Sequence, residues 1–214
     1  MIWACRIIAR LLGASFALTS WLPFDHQEFP MPVSADDLRL VYSGLRDQMR
    51  DRYERDLPFA ELLFDRWERA NHLGFGRGAN IYHSAFVYGD VTVGEDTWIG
   101  PFTLLDGSGG LAIGRGCNIS AGVHIYSHDS VARCLSGGTA DVTKAAVRIG
   151  DYVYVGPQSL IGQGVRIGDR ALVGGHSFVN RDVEANAIVA GSPAKRIGTV
   201  IVDGTDVRLE YHGD

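Results

Sequence analysis

Between Ile81 and Glu184 the chain is written in units of six. From Ile81 they run IYHSAF, VYGDVT, VGEDTW and IGPFTL. They resume at Ile113 as IGRGCN, ISAGVH and IYSHDS, and at Ile149 as IGDYVY, VGPQSL, IGQGVR, IGDRAL, VGGHSF and VNRDVE. All thirteen units begin with Ile or Val, and eight have Gly second. The fifth position holds Ala, Val, Thr, Cys or Ser except in IYSHDS, where it is Asp129. A half-buried strand alternates with period two and a helix repeats near 3.6, so neither yields a strict six. A triangular prism does: each unit is a short strand plus a corner, and three units make one coil. The head residue points inward and stacks on the head of the next coil, the small fifth residue points inward near a corner, and Gly relieves crowding beside the turn. Each coil satisfies its backbone through the coils above and below, so the array folds as a stack.

The composition agrees with many tight corners: 27 Gly in 214 residues is high, while Ile and Val are too regular for disorder. A formal net charge of −5 gives no electrostatic reason to expect nucleic acid as a partner. Three cysteines (Cys5, Cys117, Cys134) without CxxC or CxxH spacing argue against a disulfide framework or a structural zinc site, and for a reducing cytoplasm.

Four segments follow. Residues 1–33 form an apolar arm with the run Leu11–Leu22 behind Arg6 and Arg10. The first reading of this arm is packing on the body or on a partner subunit. Contact of residues 1–24 with a membrane surface, placing the protein peripherally at the inner membrane, is the second, and a cleaved signal the third. Residues 34–80 read as helical. Ser34 caps one helix with Leu38, Val41, Leu45 and Met49 at helical spacing, and Asp56 caps another, with Pro58 in its first turn, Phe59, Leu62, Leu63 and Trp67 on one stripe, and Gly74 at its end. Residues 81–192 are the prism, with loops expected at 104–112 and 131–146, and 193–214 are a C-terminal tail. The fold class is mainly β.

The segment from Asn80 to Gly198, with its sixes, two inserts, CNISAGVHIYSHDS and the closing AGSPAKRIG, resembles the hexapeptide-repeat acyltransferases. Within them it is most similar to the sugar O-acetyltransferase branch that includes the maltose and galactoside enzymes. The resemblance implies a left-handed parallel β-helix, acetyl-CoA as co-substrate with no metal, a homotrimer with sites between neighbouring chains, and a saccharide hydroxyl as acceptor.

Candidate site residues sit where the code breaks. The unit IYSHDS is followed by the polar, Gly-rich excursion 131–146. In the family a histidine at this motif is the general base, which carried over is His128, acting directly on the acceptor. Asp129 either orients that imidazole or faces the interior. Asp106, in LLDGSGGLA, is expected near the sugar hydroxyls, with a turn-forming role before Gly107 as the equal alternative. Trp98, Tyr126 and His124 are further candidates for the acceptor side, against subunit packing or a solvated wall. Coenzyme A is expected along Gly156, Ser159, Gly174, Gly175 and Ser177, with Lys195 and Arg196 at its phosphates. Lys144 and Arg133 are placed to receive an acidic sugar. Three other functions stay open: N-acetylation of an amino sugar, a zinc enzyme like the γ-class carbonic anhydrases using His124, His128 and His176 or His83, and a non-catalytic β-helix.

Overall fold

The structure, a computed structural model, describes residues 34–212. The apolar arm 1–33, with its alternative roles, lies outside the described residues. Among the described residues no helix is long and apolar enough to cross a membrane.

Short parallel strands stack in register into three ladders. One runs Ile81, Ile99, Ile119, Val155, Val173, Val189. A second runs Val87, Leu105, Ile125, Ile161, Val179, and a third runs Val93, Ile113, Ile149, Ile167, Val183. Reading once around each ladder recovers the six-residue units, so the chain is a β-solenoid with one head residue per wall per coil. Of the thirteen heads all but Val87 are buried, and the fifth-position residues Thr97, Thr103, Val123, Ser159 and Ser177 are buried beside them. The core is therefore a column of Ile and Val, and every coil contributes to it. Ile119, fully enclosed on the first ladder, illustrates the energetics. Ile119→Ala is expected to lower unfolding free energy by about 2–5 kcal/mol, because the rigid wall collapses little onto the void; a denaturant titration at fixed protein concentration measures it.

The two inserts differ from each other. Residues 104–112, expected as a loop, belong to a strand, Leu104–Ile113, which pairs with Phe86–Val93 from Leu104 through Gly107 and again from Leu111 through Ile113. Between these stretches Ser108–Gly110 stand opposite Asp90 alone, so two extra residues are absorbed as a bulge in the wall. Leu105 and Leu111 remain buried, which is why the ladder survives. The second insert does leave the wall. It carries a short helix Val131–Leu135 and returns as the strand Thr143–Lys144, which pairs antiparallel with His128–Asp129.

The N-terminal segment is helical, with corrections. The first helix, Ala35–Tyr53, begins with a reciprocal cap in which Asp37 N–H donates to Ser34 Oγ (3.1 Å) and Ser34 N–H to Asp37 Oδ2 (2.9 Å). Among the described residues, none of its side chains is buried. The expected second helix is two short ones, Phe59–Leu63 and Arg66–His72. Pro58 stands at the first start rather than Asp56. Asp65, accepting from Trp67 N–H (2.8 Å) and Glu68 N–H (3.0 Å), opens the second because its side chain offers the backbone a competing partner there. Gly74, at φ 72°, follows the last turn as expected. These helices meet the first coil through two charged side chains. Glu61, largely buried, accepts from His83 N–H (3.1 Å), Ser84 N–H (2.9 Å) and Ser84 Oγ–H (2.8 Å), and Arg69 donates to the carbonyls of Tyr82 and Ala85.

At the other end, residues 195–211 are not a loose tail. Lys195–Asp203 turns back antiparallel on Ala187–Ala190, and Asp206–Tyr211 pairs with it as the final strand.

Candidate active site

His128 and Asp106 come together where the two inserts stack. Leu105 and Ile125 are partners in consecutive coils, so the bulge 108–110 and the start of the excursion fall at the same corner, one above the other. Across this corner His128 Nδ1 lies 2.6 Å from Asp106 Oδ2. The carboxylate is buried, with 2 % of its side chain exposed, whereas the imidazole keeps 35 %. Asp106 Oδ1 accepts from Ser108 N–H (3.0 Å) and Ser108 Oγ–H (2.5 Å). Oδ2 also takes Ser127 N–H (2.9 Å) and Ser127 Oγ–H (3.3 Å). Ser127 Oγ in turn accepts Gly109 N–H (2.7 Å). Glycine is needed at 109, because a Cβ there would overlap the Ser127 carbonyl.

These donors decide the protonation state. Burial by itself pushes the Asp106 carboxyl up, but the hydrogen bonds from Ser108, His128 and the backbone of Ser108 and Ser127 outweigh it and hold the group well below the usual carboxylate range. An ionised carboxylate only accepts, so the proton between the pair belongs to His128 Nδ1. With the Nδ1 proton fixed on that side, the ring's free lone pair is the one on Nε2.

The acceptor-side candidates divide. His124, Tyr126 and His128 alternate along one extended run, so their rings line one face, each edge-on to the next at 6.1 and 6.2 Å. Trp98 belongs to the first ladder's sheet, edge-on to Tyr82 at 5.8 Å, and does not join them. Asp129 is corrected on both expectations. It points to the opposite face of the ribbon from His128, as successive strand residues must, and its Oδ1 accepts Val131 N–H (2.6 Å) at the start of the excursion. The sequence reading missed Ser108 and Ser127; the signal available was the Asp-Gly-Ser turn at 106–108.

The expected coenzyme A path also needs correction. Ser159 and Ser177 are inside the prism, both donating from Oγ to the Gly174 carbonyl (2.9 and 2.7 Å). Gly156 is buried, and its missing side chain makes room for the backbone of Gly175 in the next coil. Arg196 is ion-paired to Glu184 and donates to Thr199 Oγ1 (3.2 Å). Gly174 is half-buried; Gly175 and Lys195 are exposed.

Of the histidines imagined as metal ligands, His176 sits on an exposed corner and His83 stacks on Phe64 at 4.9 Å. Among the described residues no three of His, Cys, Asp and Glu are grouped to hold a metal ion. Two grooves of about 530 and 390 Å³ open on other walls, lined around Arg148 and Arg166 and around Tyr154 and Leu209 respectively; neither includes His128.

Residues 146–181 match the family model for the bacterial transferase hexapeptide (six repeats). Among solved structures the chain is similar to AntD, an N-acyltransferase from Bacillus cereus in complex with dTDP and 3-hydroxybutyryl-CoA. That match has 22% identity and a TM-score of 0.54, over 64% of this chain and 90% of that one. A variant of AntD in complex with dTDP-4-amino-4,6-dideoxyglucose and coenzyme A matches with 22% identity and a TM-score of 0.53, over 62% and 87% of the two chains. The hexapeptide-repeat acetyltransferase VCA0836 from Vibrio cholerae, complexed with acetyl coenzyme A, gives 21% identity and a TM-score of 0.47, over 78% and 90%. The fold is thus the hexapeptide-repeat solenoid.

Proposed function

We propose that this protein moves an acetyl group from acetyl-CoA directly to a hydroxyl of a saccharide, with His128 as general base. The observation that carries this reading is the buried, ionised Asp106 bound to His128 Nδ1 at 2.6 Å, at the one corner where both interruptions of the repeat coincide. A sugar hydroxyl is a weak nucleophile; what it needs is a neutral base of fixed tautomer, half open to solvent. His128 Nε2 accepts the hydroxyl proton as the oxygen attacks the thioester carbonyl, and returns it to the departing sulfur, so no proton is left on the enzyme. Asp106 holds the ring in place and stabilises the imidazolium formed in between. Acyl-CoA chemistry on the same fold in AntD supports the transferase class.

Of the residues expected along coenzyme A, Gly175 and Lys195 keep the open faces such a ligand needs, the first for close approach and the second as a point charge for phosphate. Tyr126 and His124 would flank the acceptor. Neither of the two grooves described above includes His128; we expect a homotrimer in which the site is completed between copies. Phe86, Tyr88 and Leu160, exposed on the wall that bears His124, suit such packing. Free thiols at Cys117 and Cys134 suit a reducing cytoplasm.

An acceptor screen tests the proposal: purified protein, acetyl-CoA and panels of saccharides and amino sugars, reading free thiol and product mass. Ester formation on a saccharide is the expected result. Turnover confined to amines would move the reaction to N-acetylation, and no turnover on any acceptor would overturn acyl transfer.

A further inference from the structure

The excursion does more than break the wall: its returning strand lays a cation beside the base. His128–Asp129 and Thr143–Lys144 form a two-residue antiparallel ribbon in which His128 is paired with Lys144 and Asp129 with Thr143. Ala145 N–H donates to the Ser127 carbonyl (2.9 Å). That bond flanks the His128–Lys144 pair, which makes it the non-hydrogen-bonded kind, with Cα atoms about 4.5 Å apart and side chains set close on the same face. Gly109 of the bulge lies beside the root of that lysine: a Cβ at 109 would come within 3.2 Å of the Lys144 Cβ.

Charge completes the picture. Asp106 is consumed by His128, Ser108 and Ser127, and Asp129 faces away. Lys144 is exposed and forms no ion pair among the described residues. A solvated lysine on a loop needs no site, but this one is held by strand pairing on the same face as the catalytic Nε2, where an acceptor has to lie. An ammonium there is a counter-ion for an anionic oxygen carried near the reacting hydroxyl.

We propose that Lys144 selects acceptors bearing an anionic group, a carboxylate or a phosphate, next to the hydroxyl that is acetylated. This rests on acyl transfer at His128 and names the acceptor class of that site. In the test, initial rates with acetyl-CoA are compared for a hexoside, the matching uronic acid glycoside, the hexose phosphate and a nucleoside-diphosphate-linked sugar, using wild type, Lys144→Met and Lys144→Arg. Wild type should prefer one anionic acceptor over the neutral hexoside in kcat/KM. Lys144→Met should cut that preference about tenfold to a hundredfold, chiefly through KM, and Lys144→Arg should restore part of it. Which anionic arm responds identifies carboxylate, monophosphate or diphosphate as the group read. Equal loss on neutral and anionic acceptors, a raised KM for acetyl-CoA instead, or no preference in wild type would each overturn the role of Lys144 while leaving acyl transfer standing. No thiol release in any arm by wild type would overturn both.

Discussion

Replacing His128 by alanine is expected to slow acetyl transfer by about 10²–10⁴-fold while the protein keeps its fold. The size follows from the role: the variant still binds both substrates but must release the hydroxyl proton to water. The imidazole is more than a third exposed and lies outside the Ile and Val ladders, so its loss opens no void in the core. Stopped assays of thiol release, with circular dichroism and melting on the same samples, separate the two quantities. A variant that keeps full transfer would sink the assignment of His128 as the base.

The second large effect is expected at Asp106, where activity and stability should move together. Asp106→Asn preserves shape but replaces one acceptor oxygen with a donor. If the amide nitrogen faces His128 and Ser127, it opposes the Ser127 N–H and forces the imidazole to carry its proton on Nε2, the wrong tautomer. If it faces Ser108, a backbone N–H is orphaned instead. A loss of about 10²–10⁴ in kcat is expected, by analogy with other aspartate-supported histidine bases, and about 1–3 kcal/mol of stability from the unpaired donor. The pH dependence has a definite sign. The carboxyl is held below its ordinary value in the folded state, so its stabilisation is fully present above about pH 4 and is lost as the pH falls through the depressed value. The stability gap between wild type and Asp106→Asn should therefore be widest near neutrality and narrow in acid. A constant gap across that range would mean the carboxylate is not ionised against these donors.

Much of the fold was legible because the repeat is itself a packing rule. A head every six residues by itself places Ile119, Val155 and Val173 on one ladder. What failed did so for physical reasons. LLDGSGGLA reads as a loop because Gly signals turns, yet Leu105 and Leu111 stay in phase, and two surplus residues fit in a bulge without breaking the wall. The same phase puts fifth positions inside, which places Ser159 and Ser177 in the interior; their expected cofactor role conflicted with a rule the repeat already contained. At the site, His128 and Asp106 were both visible, but not as partners. Their contact depends on two inserts of different length meeting at one corner, and that depends on how many residues the bulge absorbs. Asp129 stands next to His128 in the sequence, but neighbours in a strand face opposite ways.

The way the stack ends bears on how copies of the protein can associate. A solenoid is in principle an open filament, since each rung offers the next one a full set of backbone partners and an apolar column to extend. Here Arg69 takes the carbonyls of Tyr82 and Ala85 in the first coil and Glu61 takes the N–H groups of His83 and Ser84, and the last coil is followed by a hairpin whose outermost strand carries Asp206, Arg208 and Glu210, charges that discourage strand addition. Among the described residues, growth along the axis is thus discouraged at both ends. The walls carry no such block, and a lateral contact between copies gives a closed ring when its rotation closes.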